Sequence, residues 1–141
     1  MTMILNESLR LYAPVITLHR KVGREVRLGK LVLPEGLELV IPTLIVHHDP
    51  KLWGEDAQLF KPERFSDGVA GVTNNTTSFL PFGMGPRFCV GQSLAMMEAK
   101  VALSMILQQY SFAISPGYVH APIRHLTNRP QFGLQVILHK L

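Results

Sequence analysis

Residues 92–115 run without a glycine or a proline, the longest such stretch in the chain. Leu94, Met97, Val101 and Met105 recur on one helical face, and Ala95, Ala99, Ala102 and Ile106 on another. A helix that is apolar on most sides is covered on most sides. The spacing therefore predicts a long buried helix over residues 91–110, around which the rest of the fold must be arranged. Immediately before it lies a loop of a different kind. Phe82, Gly83, Met84, Gly85, Pro86, Arg87 and Phe88 lead into Cys89, the only cysteine of the chain, and then into Gly91.

The placement of Cys89 has chemical consequences. Backbone N–H groups exposed at a helix start stabilise an anion, and Arg87 two residues earlier adds to that field. These features favour the thiolate, the form that binds a metal or attacks as a nucleophile. A lone cysteine excludes an internal disulfide framework, a four-cysteine zinc site and a self-contained iron–sulfur cluster. Taken without its context, it reads as a small buried hydrophobe. A cysteine hydrolase fits poorly, because its nucleophile must face substrate, whereas the bulky Phe82 and Phe88 suit a shielded sulfur.

Composition removes several other classes. With 141 residues, 47% of them hydrophobic and 17% charged, the chain is too apolar for a disordered protein and long enough for one domain. The net charge is +4, spread without a basic run interleaved with aromatics, so nucleic acid is not an expected partner. The most apolar segment, residues 37–46, contains Glu38 and Pro42 and falls short of the ~18 apolar residues of a membrane span. The first residues show no basic start and no cleavage site of a signal peptide. Overlapping glycosylation sequons at Asn74 and Asn75 matter only in a secretory compartment. His47, His48 and Asp49 could suggest zinc, but adjacent helical histidines point different ways and no spacing supplies further ligands.

The remaining pattern is mixed. Ile4, Leu5, Leu9 and Tyr12 predict a helix that stops before Pro14. Residues 25–28, 31–33 and 37–41 read as a small antiparallel meander, and Pro42 opens a short helix over 43–48. Residues 51–77 show no clear period, which in a compact domain marks a functional or tightly anchored region. Residues 112–114 and 132–138 alternate as a C-terminal β-hairpin does. The expectation is an α+β fold, mainly α, with no internal repeat or domain boundary.

Phe82, Gly85, Arg87, Cys89 and Gly91 match every fixed position of Phe-x-x-Gly-x-Arg-x-Cys-x-Gly, and in this the loop resembles the haem-binding loop of the cytochrome P450 family. Glu7 and Arg10 resemble that family's Glu-x-x-Arg signature, and Pro62, Glu63, Arg64 and Phe65 its Pro-Glu-Arg-Phe segment. Residues 47–50, 52–57 and 137–141, with residues 82–87, resemble plant members of clan 72. The resemblance covers the whole chain. It implies the C-terminal part of the family's fold, with residues 1–141 a partial domain lacking the N-terminal anchor and the distal oxygen-activating helix. Exposed apolar surface is then expected.

Residue roles follow from the same resemblance. Cys89 would be the proximal ligand of haem b iron, Phe82 would shield the sulfur, and Gly85 and Gly91 would let the backbone approach closely. Arg87 and Arg20 would pair with the two propionates, helped by His19. Glu7, Arg10 and Arg64 would form a buried three-way anchor for the aperiodic region. Val15, Ile16, Thr17 and Leu18 would contact substrate. The implied activity is O2- and reductase-dependent hydroxylation of a hydrophobic small molecule such as a terpenoid or steroid-like hormone. Electrons would come from NADPH through NADPH–cytochrome P450 reductase, docked on a basic surface to which Lys100, Lys51 and Lys61 could contribute. The implied location is the cytosolic face of the endoplasmic reticulum membrane, through the anchor alone. The alternative is a non-catalytic truncated fragment that at most binds haem. Residues 123–130, with Arg124, His125 and Arg129, are more basic than expected for a segment that approaches substrate in that family.

Overall fold

The computed structural model describes residues 1–72 and 76–141; the sequons at Asn74 and Asn75 lie outside the described residues. Helix α1 (Thr2–Leu11) buries Asn6, Glu7, Arg10 and Leu11. It ends where the Tyr12 N–H bonds to Ser8 O, and Pro14 prevents continuation.

Strand β1 (Leu18–Lys21) follows, then β2 (Val26–Leu28), β3 (Leu31–Leu33) and β4 (Glu38–Ile41). The expected three-stranded meander is not what forms. β2 pairs only with β3, whereas β4 returns to β1, with Leu18 opposite Ile41. Pro34 has no N–H with which to extend β3. Gly36, at φ +83, turns the chain so that its N–H bonds to Val22 O and the Val22 N–H to Leu37 O. That closure aligns β4 with β1 and leaves β2–β3 as an exposed ribbon.

Helix α2 (Thr43–His48) starts after Pro42, as its sequence predicts. Asp49 accepts the Lys51 N–H at 2.9 Å and caps α3 (Pro50–Trp53), a turn too short to show a period. The core sits in the aperiodic region. Trp53, Ala57 and Phe65 are buried, with Met3, Leu52, Val72 and Phe79 packed against them. Ring centroids of Phe65 and Phe79 are 5.1 Å apart, and those of Trp53 and Phe65 6.2 Å, the separations of favourable aromatic pairs. α1 packs on the Pro62–Phe65 turn and on α2, so the core and the charged face of α1 meet.

Helix α4 (Gln92–Leu107) is the long helix of the C-terminal half, but none of its residues is buried. The sequence predicts a buried helix, and this is the largest correction. Leu94, Met97, Val101 and Met105 are all more than half exposed. Periodicity reports which faces a helix favours burying; among the described residues α4 packs chiefly on α1 and β5.

Strand β5 (Tyr110–Ile114) pairs antiparallel with β8 (Val136–Lys140), closing the C-terminal hairpin around a second pair, β6 (Pro122–Arg124) and β7 (Asn128–Pro130). β8 begins later than its alternation suggests, after the turn at Gly133. The Asn128 N–H donates to Pro14 O at 2.8 Å and ties the inner pair to the segment after α1. Among the described residues, no helix is long and apolar enough to cross a membrane.

Candidate functional site

Two polar centres stand out, one structural and one open to ligands. In the first, Arg10 donates from Nε to Glu7 Oε2 at 2.7 Å and from Nη2 to Glu7 Oε1 at 2.8 Å, one turn apart on α1 and fully buried. Its Nη1 bonds to the carbonyls of His47 and Ala57, both at 2.7 Å. The guanidinium lies 5.0 Å from the Trp53 ring centroid. Glu7 also accepts the Lys61 N–H at 2.9 Å. Arg64 Nε is 3.5 Å from Glu7 Oε1 without hydrogen-bonding it, so the third arm of the expected network is a charge contact. The hydrogen bonds of Arg64 go to Trp53 O at 2.9 Å and to the carboxylate and carbonyl of Asp56, both at 2.5 Å. Sequence reasoning missed Asp56, and it missed the carbonyls, which carry no sequence signature.

Burial alone would raise the pKa of Glu7. The Arg10 hydrogen bond, the Lys61 N–H and the charges of Arg10 and Arg64 outweigh it and hold the carboxyl below its ordinary value. Lys61 and Arg64 hydrogen bonds lower Asp56 to about 2. Lys61 is thus committed to Asp56, at 2.5 Å, and is not a free docking charge.

His47, on α2, belongs to the core. It is fully buried, its Nε2 accepts the Leu80 N–H at 2.8 Å, and its ring packs on Trp53 and Phe79. His48 Nε2 lies 3.2 Å from Leu11 O. Among the described residues no group of three or more His, Cys, Asp or Glu could hold a metal ion. Burial, chiefly, lowers the pKa of His47 to about 4. Between pH 4 and 6.5 the unfolded chain therefore binds the extra proton, and stability rises with pH across that window. The expected result is an unfolding free energy, read from urea melts, that falls steadily from pH 6.5 to 4, by about 3 kcal/mol in total from this group. In His47→Gln, whose amide oxygen can still accept the Leu80 N–H, the slope in that window should flatten.

The second centre is the cysteine loop. The Cys89 N–H donates to Phe82 O at 2.9 Å and the Phe88 N–H to Gly85 O at 3.0 Å, folding the loop back on itself. Gly83 at φ +76 and Gly85 at φ +73 occupy left-handed conformations that favour glycine. Gly83 is also buried against β1. A Cβ there would lie 3.6 Å from Arg87 O and 3.9 Å from Arg20 Nη2. A Cβ at Gly91 would reach 3.9 Å from Cys89 Sγ. The structure thus places Arg20 Nη2 and the Arg87 carbonyl around Gly83, and the Cys89 sulfur next to Gly91.

Within this chain the sulfur is not shielded. Cys89 is exposed, Phe88 is 47% exposed and Phe82 half-buried, because the loop turns its sulfur outward and α4 offers no cover. Arg20 Nη1 donates to His19 O at 2.8 Å, and among the described residues Arg87 has no side-chain partner. His19 touches Thr17 Oγ1 at 3.5 Å. One open soft donor beside two guanidinium groups with unused donors fits an iron porphyrin, whose macrocycle supplies the remaining ligands and whose propionates are carboxylates. Cys89, Arg87 and Arg20 are the residues that would hold it.

Leu18 alone of the four expected substrate residues lies in β1; Val15, Ile16 and Thr17 precede it as extended chain. They share a cavity of about 250 Å³ with Arg124, His125 and Leu126. Lys51 is exposed and Lys100 half-buried on α4.

The family model "Cytochrome P450" matches residues 1–138. The chain is 61% identical over 140 residues to cytochrome P450 CYP749A22 of Panax ginseng, covering 99% of this chain and 27% of that protein. It is 55% identical to cytochrome P450 72A397 of Kalopanax septemlobus and 51% identical to 7-deoxyloganic acid hydroxylase of Catharanthus roseus, each over 99% of this chain and 27% of the relative. A retinoic acid-bound cyanobacterial CYP120A1 superposes with a TM-score of 0.89 at 32% identity, covering 99% of this chain and 32% of that one. The chain therefore spans about a quarter to a third of the length of the proteins it matches.

Proposed function

The chain belongs to the cytochrome P450 family, and so by membership to its haem-dependent oxidoreductases; we propose that it forms the cysteine-bearing wall of a monooxygenase that hydroxylates a hydrophobic small molecule, such as a terpenoid or steroid-like hormone. The observation that carries this reading is the exposed Cys89 in a loop whose Gly83 packs against Arg20 and the Arg87 carbonyl. Haem b, when bound, supplies dioxygen activation, to which thiolate donation contributes. Cys89 would hold the iron, and the two arginines would bind the propionates and fix the ring's orientation. The named activity of the Catharanthus relative supports a plant terpenoid-type substrate. NADPH, through its flavoprotein reductase, is the proposed electron source, and the cytosolic face of the endoplasmic reticulum the proposed location.

The direct test supplies the complete protein with haem, reductase, NADPH and labelled dioxygen. A terpenoid product carrying one labelled oxygen atom is the expected result; NADPH consumption without labelled product contradicts the reading. One alternative is that this chain binds haem without turnover. It predicts haem uptake by this chain and no product with any substrate.

Docking of the reductase gives a further prediction. Lys61 is paired with Asp56, which leaves Lys100 and Lys51 as the candidates. Lys100→Glu in the complete protein should slow reduction several-fold at low salt and less at high salt, as screening removes the steering field. A rate unchanged at both salt concentrations removes Lys100 from the docking surface.

A further inference from the structure

Helix α2 is bonded to several other segments of the molecule, and two of its residues make the buried connections. Thr43 and His47 lie one turn apart on the helix, and both are fully buried. Thr43 Oγ1 donates to Val15 O at 3.0 Å, which ties α2 to the segment after α1. The His47 carbonyl accepts from Arg10 Nη1 at 2.7 Å, which ties it to the Glu7–Arg10 pair. The His47 ring makes a third connection, because its Nε2 accepts the Leu80 N–H at 2.8 Å. One residue thus bonds the buried anchor through its backbone and the approach to the cysteine loop through its side chain.

Leu80 is where that loop begins. Its carbonyl accepts the Gly83 N–H at 3.0 Å, and Phe82 O, inside this turn, accepts the Cys89 N–H at 2.9 Å. Pro81 has no N–H, so the Leu80 N–H is the last donor the chain can offer a neighbour before the turn. The choice of histidine to receive it is informative. Because Nε2 accepts, the proton of the neutral ring is on Nδ1. Burial, chiefly, keeps the ring neutral by lowering its pKa to about 4. Nδ1 has no hydrogen-bond partner among the described residues. A buried donor without a partner is costly, and a phenylalanine would pack on Trp53 and Phe79 without that cost. What histidine adds at this position, and phenylalanine lacks, is the acceptor for Leu80.

We infer that His47 is a positioning residue for Cys89: by accepting the Leu80 N–H it fixes the start of the cysteine loop against the Glu7–Arg10 anchor, and so sets where the sulfur stands when haem is bound. The effect is carried by the backbone of residues 80–89. The inference rests on the monooxygenase reading and deepens it, since it names the residue that connects the buried anchor to the iron-binding loop.

The test compares His47→Phe, which keeps a ring and loses the acceptor, with His47→Gln, which keeps an acceptor and loses the ring. Phe65→Leu serves as a control that loosens the same core without touching the Leu80 bond. Two quantities are read on the complete protein. One is amide hydrogen exchange of Leu80, Gly83 and Cys89 relative to the amides of α1. The other is the ratio of red-shifted to unshifted Soret band in the carbon monoxide complex, at equal haem content. In His47→Phe the loop amides should exchange about tenfold faster relative to α1, and the band ratio should fall about tenfold, the size of one lost hydrogen bond. His47→Gln should restore both, and Phe65→Leu should change neither. Loop and α1 amides accelerating together in His47→Phe, an unchanged band ratio, or failure of His47→Gln to restore it each overturns the inference. Should His47→Phe not fold, replacing Leu80 by its α-hydroxy analogue removes the same N–H with every side chain kept. It should lower the band ratio equally, and an unchanged ratio overturns the inference. A wild type without a red-shifted band means that the haem reading has failed. Exchange needs no haem, and loop amides no faster than those of α1 in His47→Phe then overturn the inference separately.

Discussion

Replacing Arg10 with alanine is expected to unfold the N-terminal half of the molecule. The guanidinium is fully buried and makes five hydrogen bonds, two to Glu7 and three to the carbonyls of His47, Ala57 and Leu59. Its loss leaves the Glu7 carboxylate buried with Lys61 N–H and the more distant Arg64, and three carbonyls short of a donor. Removing one partner of a buried pair costs about 3–5 kcal/mol, a large fraction of a typical stability of about 5–15 kcal/mol. The unfolding free energy from denaturant melts followed by Trp53 fluorescence should fall by that amount. The double variant Glu7→Leu with Arg10→Met should lose much less than the two single variants added together, since no buried charge is left unpaired. A cost below about 1 kcal/mol for Arg10→Ala would mean that the anchor does not hold the aperiodic region.

The second large effect is expected at Cys89. Cys89→Ser keeps nearly the same volume and the backbone bond to Phe82 O, so the loop and the helix should be undisturbed. What changes is the donor, from a soft, readily ionised sulfur to a hydroxyl that remains protonated at neutral pH. Haem retained after gel filtration should fall from near one per chain to near none, with the urea midpoint unchanged. Equal haem retention by wild type and Cys89→Ser would place the iron ligand elsewhere.

The parts of this molecule that were legible in its sequence are those fixed by neighbours close in the chain. α1 and α2 were bounded by Pro14 and Pro42, and the Glu7–Arg10 pair by its spacing of three. The cysteine loop was legible because Gly85, Arg87, Cys89 and Gly91 sit at fixed offsets within one turn. What escaped was long-range. The return of β4 to β1 depends on a turn at Gly36 and on pairing across some twenty residues, which no local pattern encodes. β6 and β7 are three residues each, with Pro122 opposite Pro130, and carry no alternation. His47 was missed because a buried histidine accepting one backbone N–H looks, in sequence, like any other histidine. α4 was misjudged in the opposite sense: its apolar faces are real, but nothing in a periodicity says whether a partner is present.

The central claim is that Cys89 is the thiolate ligand of haem iron, and the most direct measurement is the carbon monoxide difference spectrum of the reduced, haem-supplied chain. The account predicts the strongly red-shifted Soret band of thiolate ligation, absent from Cys89→Ser. A spectrum of free haem, or of haem with a nitrogen ligand, in the wild-type chain would contradict it.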